Sequence, residues 1–320
     1  MISTMLVGST AICITENNYG KLLTKELSKK DTNMTKGLAI ILMVTLHLFC
    51  RTDNLPYECL MTIKGVPLTY YFGLFSDCCV AIYCFCSGYA LQLISTKYNS
   101  YKDYYKSRVK SVLKFLMNFW MVLIIFSIVG LIFDKSGTIP SSVKEFLGNF
   151  FLYDLSYNGA WWFVLTYILL VLLSRPLSFV ISKMQPIIVN IVVLGIYFVA
   201  YVQRFKEIFH FDIRVLDWSV TQLALLGTSI LPFVWGMYFY KYKIFSRIRD
   251  FVQNHFKNWQ IALISGLMVL AMIVGHGIVP SLIIAPFKGT ITIVLFNIVN
   301  KGKYGNAYST FLATIQQIYG

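Results

Sequence analysis

The stretch from Lys36 to His47 has the residue types and the spacing of a site that binds a long, charged molecule. A cation stands at one end, an imidazole stands at the other, and no charged residue lies between them. In an α-helix, eleven steps of about 100° place Lys36 and His47 on one face, roughly 16 Å apart along the axis. This span is comparable to an extended pantetheine arm, so Lys36 would hold phosphate while His47 meets the reactive end. The alternative is a helix that begins at a surface lysine and buries a histidine.

His47 is the candidate general base. A histidine within an apolar helix can lose its charge near neutral pH, which suits it to take a proton from a hydroxyl group. His210, His255 and His276 lie at the ends of apolar segments or in loops, where a surface or capping role is expected.

Three segments in order along the chain resemble one known family. Lys36 and His47 resemble the first-helix signature of the membrane-bound acyltransferase 3 family, which is a basic residue, ten further residues and a histidine. The segment Phe85–Tyr89 resembles the Ser-Gly-Tyr segment of that family, and Trp161–Phe163 resembles its Trp-Phe segment. The likeness covers roughly residues 27 to 300. It implies an integral membrane enzyme that transfers an acetyl or other short acyl group from acyl-coenzyme A, with acetyl-coenzyme A as the expected donor, to a hydroxyl of a cell-surface polysaccharide or a lipid-linked sugar.

The resemblance also implies which side chains bind the phosphate groups of the acyl donor. They are Lys36, Arg108, Lys110 and Lys114. In the family, two arginines separated by two residues lie in the region of Arg108. Here Arg108 matches the first, Ser111 stands at the second position, and Lys110 or Lys114 is expected to substitute. Such side chains suit diphosphate and 3′-phosphate groups because they form charge-assisted hydrogen bonds. The alternative for residues 101–114 is a basic cytoplasmic loop that membrane topology requires.

Four further residues are expected to bind the sugar acceptor. They are Ser87 and Tyr89 in the second apolar segment, and Trp161 and Trp162 near the start of the fourth. A tryptophan ring can stack on a sugar ring. The alternatives are close helix packing around Gly88 and, for the tryptophans, the aromatic belt that is typical of a membrane interface.

The composition predicts an all-α polytopic transmembrane helix bundle in a lipid bilayer. Apolar residues make up 57% of the chain and charged residues only 13%, whereas a soluble domain has about a quarter charged residues. The net charge of +14 does not indicate a nucleic-acid partner, because the cations cluster between the apolar segments. About eight segments suit a hydrocarbon layer of ~30 Å. They are residues 37–50, 68–96, 112–133, 157–174, 186–202, 219–240, 259–275 and 278–299.

The distribution of cations predicts a cytoplasmic N-terminus. In that orientation twenty of the 28 lysines and arginines fall on the cytoplasmic side and seven outside, as the positive-inside rule requires. Lys288 remains within an apolar segment, where a cation is a functional candidate by default and snorkelling is the alternative. The expected location is a bacterial plasma membrane.

We expect three regions along the chain. Residues 1–33 are a cytoplasmic leader, residues 34–300 are the transmembrane acyltransferase-like domain, and residues 301–320 are a short polar tail. Family members continue into at least one more membrane helix, whereas this tail is too polar and too short to span. A C-terminal truncation is therefore expected, and it would make the enzyme inactive if a wall of the active site is lost.

The cysteines do not indicate a metal site. Six of the seven lie between Cys50 and Cys86, without the paired loop spacing of a zinc site. The sequence therefore predicts no metal, and the cysteines are interpreted as small apolar core residues. The alternative is a disulfide between Cys59 and Cys78 or Cys79 at an oxidising outer surface.

A transporter or flippase for a glycan or a small molecule is the alternative function. His47 and Lys288 would then line the substrate path. The sequence shows no clear internal repeat and no matched pair of broken helices, which many transporters have. For the enzyme, the first apolar segment has no carboxylate to orient His47, so Asp77 at the start of the second is the candidate.

Overall fold

The structure, a computed structural model, consists almost entirely of helices. It describes residues 26–52, 58–63, 65–133, 137 and 139–299. In this part of the chain the only strands are β1 (Thr62–Ile63) and β2 (Val66–Pro67), which pair in an antiparallel hairpin. The predicted all-α class is confirmed.

The helices are numbered in chain order. They are α1 (Lys29–Phe49), α2 (Leu68–Phe75), α3 (Cys79–Ser95), α4 (Tyr101–Phe133), α5 (Val143–Phe150), α6 (Trp162–Lys183), α7 (Pro186–Lys206), α8 (Arg214–Lys241), α9 (Ile244–His255), α10 (Asn258–His276) and α11 (Ser281–Val299). A 3₁₀ turn at Ser76–Cys78 joins α2 to α3, and another at Gly159–Trp161 leads into α6.

Seven helical stretches of the described residues are long and apolar enough to cross a membrane. They are Lys29–Phe49, Leu68–Ser95, Tyr101–Phe133, Gly159–Lys183, Pro186–Lys206, Arg214–Lys241 and Asn258–His276, and they match the first seven predicted segments. The eighth predicted segment is α11, whose apolar part Ile283–Val299 is shorter. Large apolar side chains such as Met117 and Phe198 are more than half exposed, as expected for surfaces that face lipid. The fold is that of a multi-pass membrane protein, and the cytoplasmic N-terminus stays a prediction.

Helix α1 begins earlier than its apolar segment. Ser28 caps the helix, because its hydroxyl accepts from the backbone N–H of Asp31 at 3.1 Å while its own N–H donates to the Asp31 carboxylate at 2.9 Å. Residues 26–33 of the predicted leader therefore belong to the folded part. Residues 1–25 of that leader and the predicted tail, 301–320, lie outside the described residues.

Helix α4 also extends beyond its apolar segment, so the loop expected at residues 101–114 is helical. Its buried side chains include Tyr104, Arg108 and Phe115, which recur at intervals of four and seven residues. That spacing puts them on one helix face, toward the protein. The search for apolar segments did not include the start of α4, because the exposed face there is rich in lysine. Lysine is nevertheless a good helix former.

The described residues form two compact units. The middle unit is Ile94–Thr228, and the terminal unit combines the described parts of Ile14–Leu93 and Ser229–Ile318. The boundaries fall within α3 and α8. Each unit is treated by itself below.

The core of the middle unit is aromatic. Phe119 and Trp161 meet edge to face, with their ring centroids 5.1 Å apart, and their buried neighbours are Phe115, Leu123, Leu152 and Val164. Trp120 stacks on Phe150 at 4.7 Å and donates its indole N–H to the Phe150 carbonyl. These contacts hold α4, α5 and the start of α6 together around Trp161.

In the terminal unit, α3 and α8 approach closely at two glycines. A Cβ atom on Gly88 would lie 1.9 Å from the carbonyl oxygen of Phe233, and a Cβ atom on Gly236 would lie 2.0 Å from the carbonyl oxygen of Phe85. A larger residue at either position would separate the helices. The glycine of the Ser-Gly-Tyr segment therefore serves helix packing.

Candidate functional site

Helix α1 holds Lys36 and His47 in different surroundings. Most residues between Asp31 and Met43 are buried, and Lys36 is 4% exposed. His47 lies in the last turn of the helix and is exposed. Within the described residues neither side chain has an ion-pair partner. The helix thus combines a buried cation with an accessible imidazole, roughly 16 Å apart along its axis.

Lys288 is the centre of a second polar group in the terminal unit. It is fully buried, and its ammonium contacts the carboxylate of Asp77. The same nitrogen lies 2.9 Å from the carbonyl oxygen of Leu74 and 2.8 Å from Nδ1 of His276. All three donors of the ammonium are therefore engaged, and the group ties α11 to α10 and to the turn that precedes α3.

The roles in the contact between Lys288 and His276 depend on the tautomer of His276. An ammonium can only donate, so opposite a charged Lys288 the Nδ1 atom of His276 is the acceptor. Nε2 lies 3.8 Å from Oδ2 of Asp77. Asp77 therefore pairs with Lys288 and faces His276, and the described residues show no contact between Asp77 and His47.

The cysteines of the terminal unit are free thiols, so the alternative disulfide from Cys59 to Cys78 or Cys79 is not formed. Cys50 follows the last turn of α1. Its partial burial raises the pKa of its thiol, the charge of Asp77 raises this pKa further, and Lys288 opposes the rise. A raised pKa leaves little thiolate near neutral pH, so Cys50 is a poor candidate for a nucleophile.

The Ser-Gly-Tyr segment is buried, with Ser87 7% and Tyr89 3% exposed. The Tyr89 hydroxyl donates to the carboxylate of Glu26 at 3.0 Å and accepts from the backbone N–H of Leu27 at 3.3 Å. Glu26 also accepts from the backbone N–H and the hydroxyl of Ser246, at the start of α9. Tyr89 thus anchors the residues before α1 to α9, and the sugar-binding role of Ser87 and Tyr89 stays a prediction.

In the middle unit the guanidinium groups of two arginines lie near the ring of Tyr104. The Cζ atoms of Arg108 and Arg175 lie 5.9 Å and 5.7 Å from the centroid of the Tyr104 ring. Arg108 is 8% exposed and donates to the Ser107 hydroxyl at 2.8 Å, while its Nε has no hydrogen-bond partner among the described residues. In the same part of the chain no carboxylate lies within ion-pair distance of either arginine.

Arg175 also caps the C-terminal end of α3. Its guanidinium donates to the carbonyl oxygens of Ser95 and Tyr98 and to the Ser95 hydroxyl. The last carbonyls of a helix lack partners within the helix, and a cation at that end is favoured. These contacts hold Arg175 beside Tyr104, whose hydroxyl lies 2.6 Å from the hydroxyl of Ser174.

Lys110 and Lys114 do not lie with Arg108. They point about 200° and 240° around α4 from it, and both are exposed. Their side of the helix also carries the exposed apolar residues Leu113 and Met117. Of the four predicted phosphate-binding cations, Arg108 is therefore the one buried in the middle unit, while Lys36 belongs to the terminal unit.

Trp161 and Trp162 lie where α6 begins, in different environments. Trp161 is 3% exposed, and the guanidinium of Arg204 lies 4.9 Å from the centroid of the Trp162 ring. Trp161 lines a cavity of about 310 Å³ together with Tyr157 and Asn158, at the small end of the ~300–1,000 Å³ usual for ligand pockets. The sugar-binding role of both tryptophans stays a prediction.

Sequence reasoning missed Glu26, Arg175 and the pairing of His276 with Lys288. A capping signal, Ser28 followed by Asp31 before an apolar run, was present and would have brought Glu26 close to the folded domain. For Arg175 and His276 no local signal exists, because their partners lie far away in the sequence.

A family model described as an acyltransferase domain matches residues 31–315. The match includes α1 with Lys36 and His47, the polar group around Lys288, and the two arginines of the middle unit. No curated protein and no solved structure matches the chain.

Proposed function

Because the chain belongs to the acyltransferase 3 family, we propose that this membrane acyltransferase takes a short acyl group from acyl-coenzyme A and transfers it to a sugar hydroxyl. The family match and the apolar helices establish a multi-pass membrane acyltransferase. The donor, the acetyl group as the expected acyl group, and the acceptor are our proposal. The acceptor is a cell-surface polysaccharide or a lipid-linked sugar, so the working location is a bacterial plasma membrane.

The arrangement of Lys36 and His47 on α1 carries this proposal. Lys36 is buried without an ion-pair partner among the described residues, and His47 is exposed on the same helix. A buried ammonium is costly unless an anion compensates it, and a donor phosphate would supply that charge. The pantetheine arm of the donor would then run along α1 and bring the thioester to His47, about three helical turns away.

His47 acts as the general base in this reaction. It takes the proton of the acceptor hydroxyl while the oxygen forms a bond to the thioester carbonyl carbon. The carbon–sulfur bond then breaks, and the coenzyme A thiolate leaves and takes up the proton. The products are an O-acyl ester and free coenzyme A.

In the middle unit, Trp161 is proposed to bind a sugar ring of the glycan. This residue lines the cavity in the middle unit together with Tyr157 and Asn158, which offers an aromatic wall and an amide side chain to a sugar ring. Trp162 would stack on a neighbouring sugar. Ser87 and Tyr89 are also proposed to bind the acceptor, in addition to the hydrogen bond from Tyr89 to Glu26.

Acyl transfer by the purified protein tests the proposal. With radiolabelled acetyl-coenzyme A, the wild type should release coenzyme A and should label a glycan acceptor, whereas a transporter or flippase should do neither. His47→Ala should lower the rate roughly 10²- to 10⁴-fold and leave coenzyme A binding nearly unchanged. His255→Ala is the matched control, because His255 is also exposed at the end of a helix in the terminal unit.

His47→Gln separates a base from a mere hydrogen-bonding group. Glutamine keeps a polar side chain but cannot take up the proton, so its rate should fall as in His47→Ala. Full activity of His47→Gln would defeat the proposed mechanism.

A further inference from the structure

Helix α9 connects two candidate membrane spans, so it lies on one side of the bilayer. The span that contains α8 ends at Lys241, and the next span begins at Asn258. Glu26 accepts hydrogen bonds from the backbone N–H and the hydroxyl of Ser246, which brings the start of α1 to the same end of the terminal unit. Three spans therefore meet the membrane surface beside α9. With 12 residues the helix is about 18 Å long, enough to lie along that surface.

One face of α9 packs against the protein and the other is exposed. Phe245 and Arg249 are buried, whereas Arg247, Phe251 and His255 are exposed. The exposed residues follow one another at intervals of four, which puts them on one helix face. Phe251 is 56% exposed, and its ring stacks on the imidazole of His255 with the centroids 4.5 Å apart. An exposed aromatic ring beside a cation suits the boundary between lipid headgroups and acyl chains.

Four cations are exposed at this end of the terminal unit. They are Lys29 and Lys30 at the start of α1, and Lys243 and Arg247 at the start of α9. In the described part of the chain no carboxylate lies within ion-pair distance of any of them. The carboxylates of Glu26 and Asp31 are buried and accept hydrogen bonds from the protein, and α9 itself has one carboxylate, Asp250. This end of the unit therefore presents a net positive charge to the membrane surface.

We propose that the exposed face of α9, together with the start of α1, binds the headgroups of anionic phospholipids. The phosphodiester of such a lipid accepts hydrogen bonds from Arg247, whose planar fork suits a phosphate group, and Lys243 adds to the attraction. The Phe251 ring lies among the first carbons of the acyl chains. Trp259, at the start of α10, is 63% exposed and provides a second aromatic anchor. The site does not depend on the acyl-transfer reaction.

Titration of the purified protein with phosphatidylglycerol and with phosphatidylcholine tests the site, and native mass spectrometry counts the bound lipids. Arg247→Gln should weaken phosphatidylglycerol binding about fivefold, the equivalent of ~1 kcal/mol for one basic residue at a membrane surface. It should leave phosphatidylcholine binding unchanged, because that headgroup carries no net charge. Arg247→Lys keeps the charge and should bind phosphatidylglycerol more tightly than Arg247→Gln does. Lys206→Gln is the matched control, since it removes an exposed cation at the end of another span and should change neither affinity.

The Phe251 ring separates the apolar part of the site from its charge. Phe251→Ser should weaken both lipids to the same degree, because the burial of a ring among acyl chains does not depend on the headgroup. Equal losses of phosphatidylglycerol for Arg247→Gln and Lys206→Gln would show diffuse attraction to all surface cations, and the site would be refuted. Unchanged binding of phosphatidylglycerol by Arg247→Gln would refute it as well. Both changed cations are exposed, so the variants should unfold at the same temperature as the wild type in lipid-free detergent.

Soluble phosphates are the other anions to which this surface is complementary. Coenzyme A and inorganic phosphate, each added to the wild type loaded with phosphatidylglycerol, distinguish them from a headgroup. Retention of the lipid in both cases supports the site, because neither soluble anion has acyl chains that pack on Phe251. Displacement by either one would assign the surface to a soluble phosphate and overturn the proposal. These measurements need no turnover, so an inactive protein that retains phosphatidylglycerol through Arg247 would refute the proposed reaction and leave the lipid site intact.

Discussion

Lys288 in the terminal unit and Arg108 in the middle unit are both buried cations, yet their surroundings are opposite. Lys288 contacts the Asp77 carboxylate, and its remaining donors reach His276 and a backbone carbonyl. Arg108 has one hydrogen bond to a serine and no ion pair among the described residues.

The difference shows that burial of a charge does not by itself indicate a ligand site. A buried cation with its own carboxylate is neutralised and holds helices together, whereas a buried cation without a carboxylate among the described residues is stabilised when a further anion lies beside it. Lys36 resembles Arg108 in this respect, although it lies in the terminal unit. Lys288 was singled out from the sequence because it lies within a membrane segment. Its charge is balanced by Asp77, so its role is to hold helices together.

The largest expected effect comes from breaking the Lys288 pair. Lys288→Met leaves the Asp77 carboxylate without its partner, and removing one member of a fully buried pair costs about 3–5 kcal/mol. The Asp77 side chain is 34% exposed, so water replaces part of the lost contact and we expect about 2 kcal/mol. Thermal unfolding of the purified, ligand-free protein measures this loss.

The matched change in the middle unit is Arg108→Met. It leaves no carboxylate unpaired and removes a buried charge, so the unfolding midpoint of the ligand-free protein should stay the same or rise. In the terminal unit, Lys288→Met combined with Asp77→Leu should recover most of the lost stability, because no charge then remains buried alone. Equal losses for Lys288→Met and Arg108→Met would remove the distinction between the two cations.

A smaller effect is expected at Tyr89, which serves another buried charge of the terminal unit. Tyr89→Phe removes the hydrogen bond to the Glu26 carboxylate and the one from the Leu27 backbone N–H, and hydrogen bonds to charged groups contribute about 1.5–3 kcal/mol. Glu26 keeps two hydrogen bonds from Ser246. We therefore expect a loss of stability of about 1.5 kcal/mol and an unchanged KM for the acceptor. The control is Tyr240→Phe, since the neighbouring Tyr240 ring has no hydrogen bond from its hydroxyl within the described residues. A raised acceptor KM without lost stability would instead support the sugar-binding role predicted for Tyr89.

Local patterns in the sequence predicted the helices well. Hydropathy located seven spans, because a run of apolar residues is a property of one segment and does not depend on its neighbours. The same holds for Lys36 and His47, whose separation follows from the geometry of a single helix. The extra turns of α1 and α4 were missed because polar residues form them, and there capping and the spacing of Tyr104 and Arg108 are the relevant signals.

The pairing of charges was not predictable, because it depends on which helices pack together. Asp77 and Lys288 are more than 200 positions apart in the chain, and nothing near either residue specifies the other. Lys110 and Lys114, which are close to Arg108 in sequence, were predicted to bind phosphate beside it, and that role stays a prediction. Both point away from Arg108 around α4, whereas Arg175, from α6, lies beside the Tyr104 ring.

The smallest expected effect concerns those two lysines. Both are exposed on the outer face of α4, so they attract a phosphorylated donor only from a distance and through water. Lys110→Gln combined with Lys114→Gln should raise the KM for acyl-coenzyme A about twofold in dilute salt. At 1 M salt, where the screening length falls to about 3 Å, the variant and the wild type should have the same KM. Arg108→Gln should keep its defect at high salt, because a buried contact is screened much less. A lysine defect that is large and persists at high salt would instead place Lys110 or Lys114 in direct contact with the donor, as the sequence predicted.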